Sequence, residues 1–79
     1  MTVDVRKFLN RKGYQGIASV HATWDGHGYG NLTISDCSRQ VSISIDASNR
    51  GERNNTLYKL DILTDVISQL RLAVQEHKP

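Results

Sequence analysis

Apolar and polar residues alternate along three segments of this chain, residues 18–24, 30–36 and 41–46. A period of two is typical of half-buried β-strands, in which successive side chains point to opposite faces. The clearest case is QVSISID, where valine or isoleucine alternates with serine from Val41 to Ile45. Because only short polar links join the three segments, we expect an antiparallel meander of three strands.

A different spacing precedes the first of these strands. Val5, Phe8 and Leu9 stand three and four positions apart, which places them on one face of a helix. Gly13 follows, and glycine suits the left-handed conformation in which many helices end. These residues predict a short helix over residues 4–12.

The last third of the chain has a longer helical pattern. From Leu57 to about Glu76, apolar residues recur at spacings of three and four, which predicts one amphipathic helix with a wide apolar stripe. The stripe consists of Leu60, Ile62, Leu63, Val66, Ile67, Leu70, Ala73 and Val74. Residues 47–56, ASNRGERNNT, are polar and lack apolar periodicity. We expect a mobile loop here, with a helix-capping residue at one of positions 54–56.

These elements predict a single α+β domain over residues 1–79 with the order α-β-β-β-α. The short N-terminal helix, the three-stranded antiparallel meander and the long C-terminal helix form two layers, with the long helix packed on one face of the sheet. So short a chain builds only a small core, and Cys37 is its single cysteine, so no disulfide forms within one chain. The apolar stripe is also wider than three strands require. We therefore expect a homodimer that covers the rest of the stripe.

The segment TWDGHGYGN joins the first two predicted strands. Its Asp-Gly pair is a strong hairpin signal, because glycine adopts positive φ without steric cost. The tryptophan, histidine and tyrosine around this turn make it a candidate recognition tip. These three residues and four apolar residues of the long predicted helix form the candidate protein-binding surface: Trp24, His27, Tyr29, Ile62, Val66, Ile67 and Leu70.

The residues that could carry catalysis or bind a metal do not form a pattern typical of either. Glycine-rich phosphate loops lead directly into a helix, whereas a predicted strand follows HGYG. One cysteine and three histidines do not have the spacing of a closed zinc site. His27 and Cys37 lie at opposite ends of a strand, on the order of 20 Å apart. We therefore expect no enzyme, no cofactor and no metal site.

The N-terminal residues contain no apolar run typical of a signal peptide, and no segment is long and apolar enough to span a membrane. We expect a cytoplasmic protein with no membrane partner, of the kind that phages and mobile elements use as small accessory or inhibitor proteins. Its expected partners are a second copy of itself and another protein.

Nucleic acid is the alternative partner. The formal net charge is +2, and residues 1–12 carry four basic residues against one acidic residue. The expected order of elements resembles the double-stranded RNA-binding domain, which holds phosphates with a lysine cluster at the start of its last helix. The corresponding stretch here reads NRGERNNTLYK and includes Glu52. The resemblance implies phosphate contacts by basic residues in this stretch and in the first helix: Arg6, Lys7, Arg11, Lys12, Arg50, Arg53 and Lys59.

Overall fold

A computed structural model describes residues 1–14 and 16–78. Its elements are β1 (Val3–Phe8), β2 (Ala18–Trp24), β3 (Tyr29–Asp36), β4 (Arg39–Asp46) and α1 (Arg50–Glu76). The strands form one antiparallel sheet in the order β1-β2-β3-β4. The chain is therefore α+β, with the order β-β-β-β-α.

The predicted N-terminal helix and the count of three strands are wrong, because residues 3–8 form a further strand. β1 pairs along its whole length with β2, from Val3 opposite Trp24 to Phe8 at the other end. This pairing gives the backbone groups of β1 hydrogen-bond partners. It also places Val3 and Val5 beside the apolar side chains of β2. If residues 3–8 formed a helix, β2 would be an unpaired edge strand of the sheet.

The strands predicted at 18–24, 30–36 and 41–46 are confirmed. β2 has the expected bounds, while β3 and β4 begin slightly earlier, at Tyr29 and Arg39. The apolar face of the sheet carries Val3, Val5, Val20, Ala22, Trp24, Leu32, Ile34, Val41, Ile43 and Ile45. The polar face carries Asp4, Arg6, Phe8, Ser19, His21, Thr23, Thr33, Ser35, Ser42 and Ser44.

The helix begins earlier than predicted, at Arg50. Asn49 is its N-cap, and the Oδ1 of Asn49 accepts a hydrogen bond of 2.9 Å from the backbone N–H of Glu52. Residues 50–56 are therefore the first turns of α1 and not a loop, and the caps predicted at 54–56 lie inside the helix. The end of α1 agrees with the prediction.

Only the first part of α1 rests on the sheet. The buried hydroxyl of Thr56 donates a hydrogen bond to the carbonyl of Asp46, and Leu60 and Leu63 are half-buried. A helix of 27 residues is about 40 Å long, whereas the eight residues of β4 span about 26 Å. From Thr64 to the end of α1, every residue is exposed. The long helix therefore packs on the sheet through its first turns, and the rest of α1 extends beyond this contact.

A single chain has very little core. Among the described residues, Ala18 is the one buried apolar side chain, and Thr56 is the one buried polar side chain. The accessible surface is 6973 Å², against about 4,800 Å² for a compact monomer of this mass. The radius of gyration is 15.0 Å, against about 11.6 Å for a compact domain of this length. One chain thus exposes about 2,200 Å² more surface than a compact domain would.

Candidate interaction surfaces

The overhanging part of α1 carries an apolar stripe. Ile67, Leu70 and Val74 continue the line of helix residues that meets the sheet, because residues three, four and seven positions apart share one helix face. Ile62 and Val66 lie beside this line. All five side chains are exposed, and Leu70 is 64% exposed. These five residues form the helix stripe, in which a single chain leaves each side chain about half to two-thirds exposed.

A second apolar surface lies on the sheet. The start of α1 meets the apolar face near Trp24 and Ile45, which line a cleft together with helix residues. The part of the apolar face beyond this contact, the bare sheet, consists of Val5, Val20, Ile34 and Val41. All four side chains keep solvent contact, and Val41 is 54% exposed.

The two apolar surfaces differ in how far the sequence revealed them. Periodicity alone identified the helix stripe, including Ile62, Val66, Ile67 and Leu70. The bare sheet was not identified, because the alternation of a strand does not indicate how much of its apolar face a helix covers. That depends on the angle and overhang of α1, which are properties of the folded chain.

The predicted turn between the first two strands is confirmed between β2 and β3. The Oδ1 of Asp25 accepts hydrogen bonds from the backbone N–H of His27 at 2.6 Å and of Tyr29 at 3.1 Å. These two bonds hold the pKa of the Asp25 carboxyl below its usual value. Gly26 and Gly28 have φ angles of 80° and 116°. Residues other than glycine rarely adopt such positive φ angles.

The three aromatic and histidine side chains of this turn do not form one surface. Trp24 lies on the apolar face, is half-buried and lines a cleft of about 220 Å³ with the start of α1. Gly30 is opposite Trp24 in the register, so the adjacent Tyr29 points to the polar face, where it is exposed. His27 is exposed at the turn itself. The structure therefore separates the residues of the candidate recognition tip, and Trp24 supports the helix.

The polar face is hydrogen-bonded internally. The Oδ1 of Asp4 lies 2.7 Å from the Nε2 of His21, and the hydroxyls of Thr33 and Ser42 are 3.0 Å apart. The pair of Asp4 and His21 was not predicted, because the expected helix over residues 4–12 would keep Asp4 away from β2. The middle of this face is a surface of hydroxyl groups with little charge.

The basic residues fall into separate groups. Arg11 and Lys12 lie in the β1–β2 loop, whereas Arg50 and Arg53 lie at the start of α1, beyond the other end of the sheet. The length of β2, roughly 20 Å, separates the two groups. Lys59, a further basic candidate on α1, is half-buried, and its Nζ donates a hydrogen bond to the carbonyl of Ser44 in β4 at 3.4 Å. Within one chain, the two groups of basic residues that the sequence predicted to contact phosphates therefore lie at opposite ends of the sheet.

The other two basic candidates lie on β1. Arg6 is on the polar face, and Lys7 points to the opposite side, in register with Val20 of the apolar face. The likeness to the double-stranded RNA-binding domain depended on a first helix that carried both residues. Since a strand takes the place of that helix, the expected order of elements is wrong and does not match that of the double-stranded RNA-binding domain.

The end of β1 and the β1–β2 loop carry exposed aromatic side chains that were not among the predicted binding residues. Phe8 is 75% and Tyr14 is 73% exposed, and Arg11 and Lys12 stand between them in the chain. The segment FLNRKGY is the signal that was available, because it places basic residues between two aromatic ones. Assigning its first residues to a helix face concealed this arrangement.

Hydrogen bonds within the loop shape it. The backbone N–H of Tyr14 donates to the carbonyl of Arg11 at 3.0 Å, which closes a turn that contains Gly13 at a φ of 95°. The Nδ2 of Asn10 donates across the loop to the carbonyl of Gly16 at 2.8 Å. Aromatic and basic loop residues line clefts of about 260 and 360 Å³.

Comparison of this chain with family models, with curated proteins and with solved structures finds no match. Within residues 1–14 and 16–78, no three His, Cys, Asp or Glu side chains are grouped so that they could hold a metal ion. In the same residues, no helix has the length and apolarity that crossing a bilayer requires.

Proposed function

We propose that this protein is a non-catalytic interaction module whose functional unit is a homodimer. The observation that carries the proposal is the excess surface of a single chain, which exposes 6973 Å² where a compact monomer of its mass exposes about 4,800 Å². The helix stripe and the bare sheet contribute exposed apolar side chains to this excess. A second copy of the chain carries the same two apolar surfaces and can therefore bury the helix stripe and the bare sheet of the first.

The size of the excess fits a permanent homodimer. If a partner copy covers the surplus on each chain, the interface buries about 4,300 Å² in total. Obligate homodimers bury roughly 2,000–5,000 Å² and are more apolar than transient complexes. Crystal contacts and weak transient complexes bury less than about 1,200 Å². The missing burial therefore corresponds to an interface through which both chains become stable together.

A twofold axis gives the simplest arrangement. In an isologous dimer each surface of one chain meets the partner at the symmetry-related position. The helix stripe and the bare sheet lie on the same side of the molecule, because the stripe continues the helix line that contacts the apolar face. A partner copy on that side covers both of them.

The polar face remains on the outside of this homodimer and is the surface left for another protein. Its central side chains, such as Thr33 and Ser42, carry hydroxyl groups. Burying a hydroxyl group costs less free energy than burying the charge of a lysine or glutamate side chain. Two polar faces per homodimer present two equivalent binding surfaces.

The stability of the protein at different concentrations tests this proposal. Dissociation accompanies unfolding of an obligate dimer, so dilution lowers its stability. A dilution of about 100-fold changes the free energy of unfolding of the dimer by about 2.7 kcal/mol, which lowers Tm by about 5–10 °C. Thermal unfolding followed by circular dichroism measures this shift. A Tm that stays the same over that range contradicts the homodimer.

A further inference from the structure

The β1–β2 hairpin combines basic and aromatic side chains on one end of the sheet. Arg6 and Phe8 lie on the polar face of β1, and Arg11, Lys12 and Tyr14 follow in the loop. These five residues form the hairpin patch. All five are exposed.

The hairpin patch has a net positive charge. Three of its residues are cations, and the acidic residue nearest in the chain is Asp4. The Asp4 carboxylate already lies 2.7 Å from the Nε2 of His21. A surface with several cations and one engaged carboxylate attracts polyanions.

The exposed aromatic rings distinguish the hairpin patch from an ordinary solvated charge cluster. Phe8 is 75% and Tyr14 is 73% exposed, so both rings are open to a partner. Exposed rings beside cations are the combination with which proteins bind single strands, because bases stack on the rings while the cations contact the phosphates.

Several of the described loop residues are also held by hydrogen bonds within the chain. Asn10 and Gly16 are joined across it by a hydrogen bond of 2.8 Å, and Tyr14 is fixed by its backbone bond to Arg11 at 3.0 Å. Clefts of about 260 and 360 Å³ lie along these residues. A preformed site of this kind loses less conformational entropy on binding.

We propose that the hairpin patch binds single-stranded nucleic acid, with Arg6, Arg11 and Lys12 on the phosphates and with Phe8 and Tyr14 stacked on bases. A duplex offers phosphates but keeps the faces of its bases inside the stack. An acidic peptide matches the charge but supplies no flat partner for the rings. A single strand satisfies both features of the patch.

This inference does not depend on the homodimer. The hairpin patch lies on the polar face and in the loop, whereas the proposed dimer contact lies on the apolar side. A twofold homodimer presents two copies of the patch, and a single chain presents one. Failure of one proposal therefore leaves the other intact.

Fluorescence anisotropy with a labelled oligonucleotide of about 15 thymidines tests the inference. Tyr14→Ala should weaken binding about 5- to 150-fold, the effect of losing one stacked base, while Tyr14→Phe retains it. Tyr58→Ala is the matched control, because Tyr58 is an exposed tyrosine on α1, 66% exposed, outside the patch. Circular dichroism of each variant verifies that the fold is unchanged.

Salt dependence separates the role of the cations from that of the rings. For single strands, the slope of log affinity against log salt is about −0.7 for each phosphate contact. The double variant Arg11→Gln, Lys12→Gln should reduce the size of the slope by about 1.4. Tyr14→Ala should lower the affinity at every salt concentration and leave the slope unchanged.

Three outcomes overturn the inference. One is no binding of the oligonucleotide at low salt. Another is equal affinity for an abasic strand of the same length or for polyglutamate, which would mean that charge alone is recognised. The third is an equal loss of affinity with Tyr58→Ala and Tyr14→Ala. Tighter binding of the thymidine strand than of the abasic strand, a duplex and polyglutamate supports it.

Discussion

Replacing Leu70 by aspartate should convert the proposed homodimer into single chains. Leu70 is 64% exposed on one chain, and substitutions at such positions usually change stability by less than about 0.5 kcal/mol. If the proposed partner covers Leu70, the remaining two-thirds of its burial contributes about 1–2 kcal/mol in each chain. The consequence of Leu70→Asp therefore depends on whether this part of α1 is covered.

The expected magnitude follows from the symmetry of the dimer. The substitution occurs twice in a twofold homodimer, so the lost apolar burial amounts to about 2–4 kcal/mol. This raises the dissociation constant at least about 30- to 1,000-fold. Desolvation of the two new carboxylates increases the effect further.

Light scattering coupled to size-exclusion chromatography measures the mass of the wild type and the variants. Ser68→Asp is the matched control, since Ser68 lies about 160° around the helix from Leu70 and its substitution adds the same charge. Leu70→Asp should give single chains with reduced thermal stability, and Ser68→Asp should remain dimeric. Equal masses for the three proteins would refute the reasoning.

Three further predictions concern the sheet, the helix start and the turn. Val41→Asp should dissociate the homodimer as Leu70→Asp does, measured by light scattering, whereas Ser42→Asp on the polar face should leave the mass unchanged. Asn49→Ala should lower the free energy of unfolding by about 1 kcal/mol per chain in urea denaturation, because the N–H of Glu52 loses its acceptor; an unchanged midpoint would contradict this. The pKa of Asp25 is lower in the folded chain than its unfolded value of 3.8, so the charged carboxylate stabilises the turn. This stabilisation is fully present above pH 3.8 and is lost as the pH falls through the pKa of the folded chain. An NMR titration midpoint at or above 3.8 would contradict the turn geometry.

The sheet could be predicted from the sequence except for its first strand. β2, β3 and β4 alternate strictly, so their side chains indicate their own faces. β1 contains the same signal in Val3 and Val5, but Lys7 interrupts it on the apolar side. The spacing of Val5, Phe8 and Leu9 then matches a helix equally well. Pairing with β2 decides between the two structures, and pairing is a long-range contact that a short window of sequence does not contain.

The early start of α1 was missed for a local reason. Gly51 and a run of charged residues make residues 50–56 look like a loop, because glycine is unfavourable inside helices. Asn49 and Glu52 have the spacing of a helix N-terminus, and this signal was available. The extra turns also place Thr56 against the end of β4.

The candidate surfaces were predictable only in part. Periodicity reveals that residues such as Leu70 share an apolar side, and the structure places them beyond the sheet. The bare sheet and the hairpin patch depend on which elements lie next to each other. Tyr14 joins Phe8 in one patch only because residues 3–8 form a strand that ends in a loop.

One chain lacks about 2,200 Å² of burial, and in the proposed homodimer a second copy supplies it. Sedimentation equilibrium of the wild-type protein at micromolar concentration distinguishes the homodimer from a single chain. We expect a mass of twice 8.9 kDa, without a detectable fraction of single chains. A mass of 8.9 kDa for a folded and cooperatively unfolding protein would contradict it.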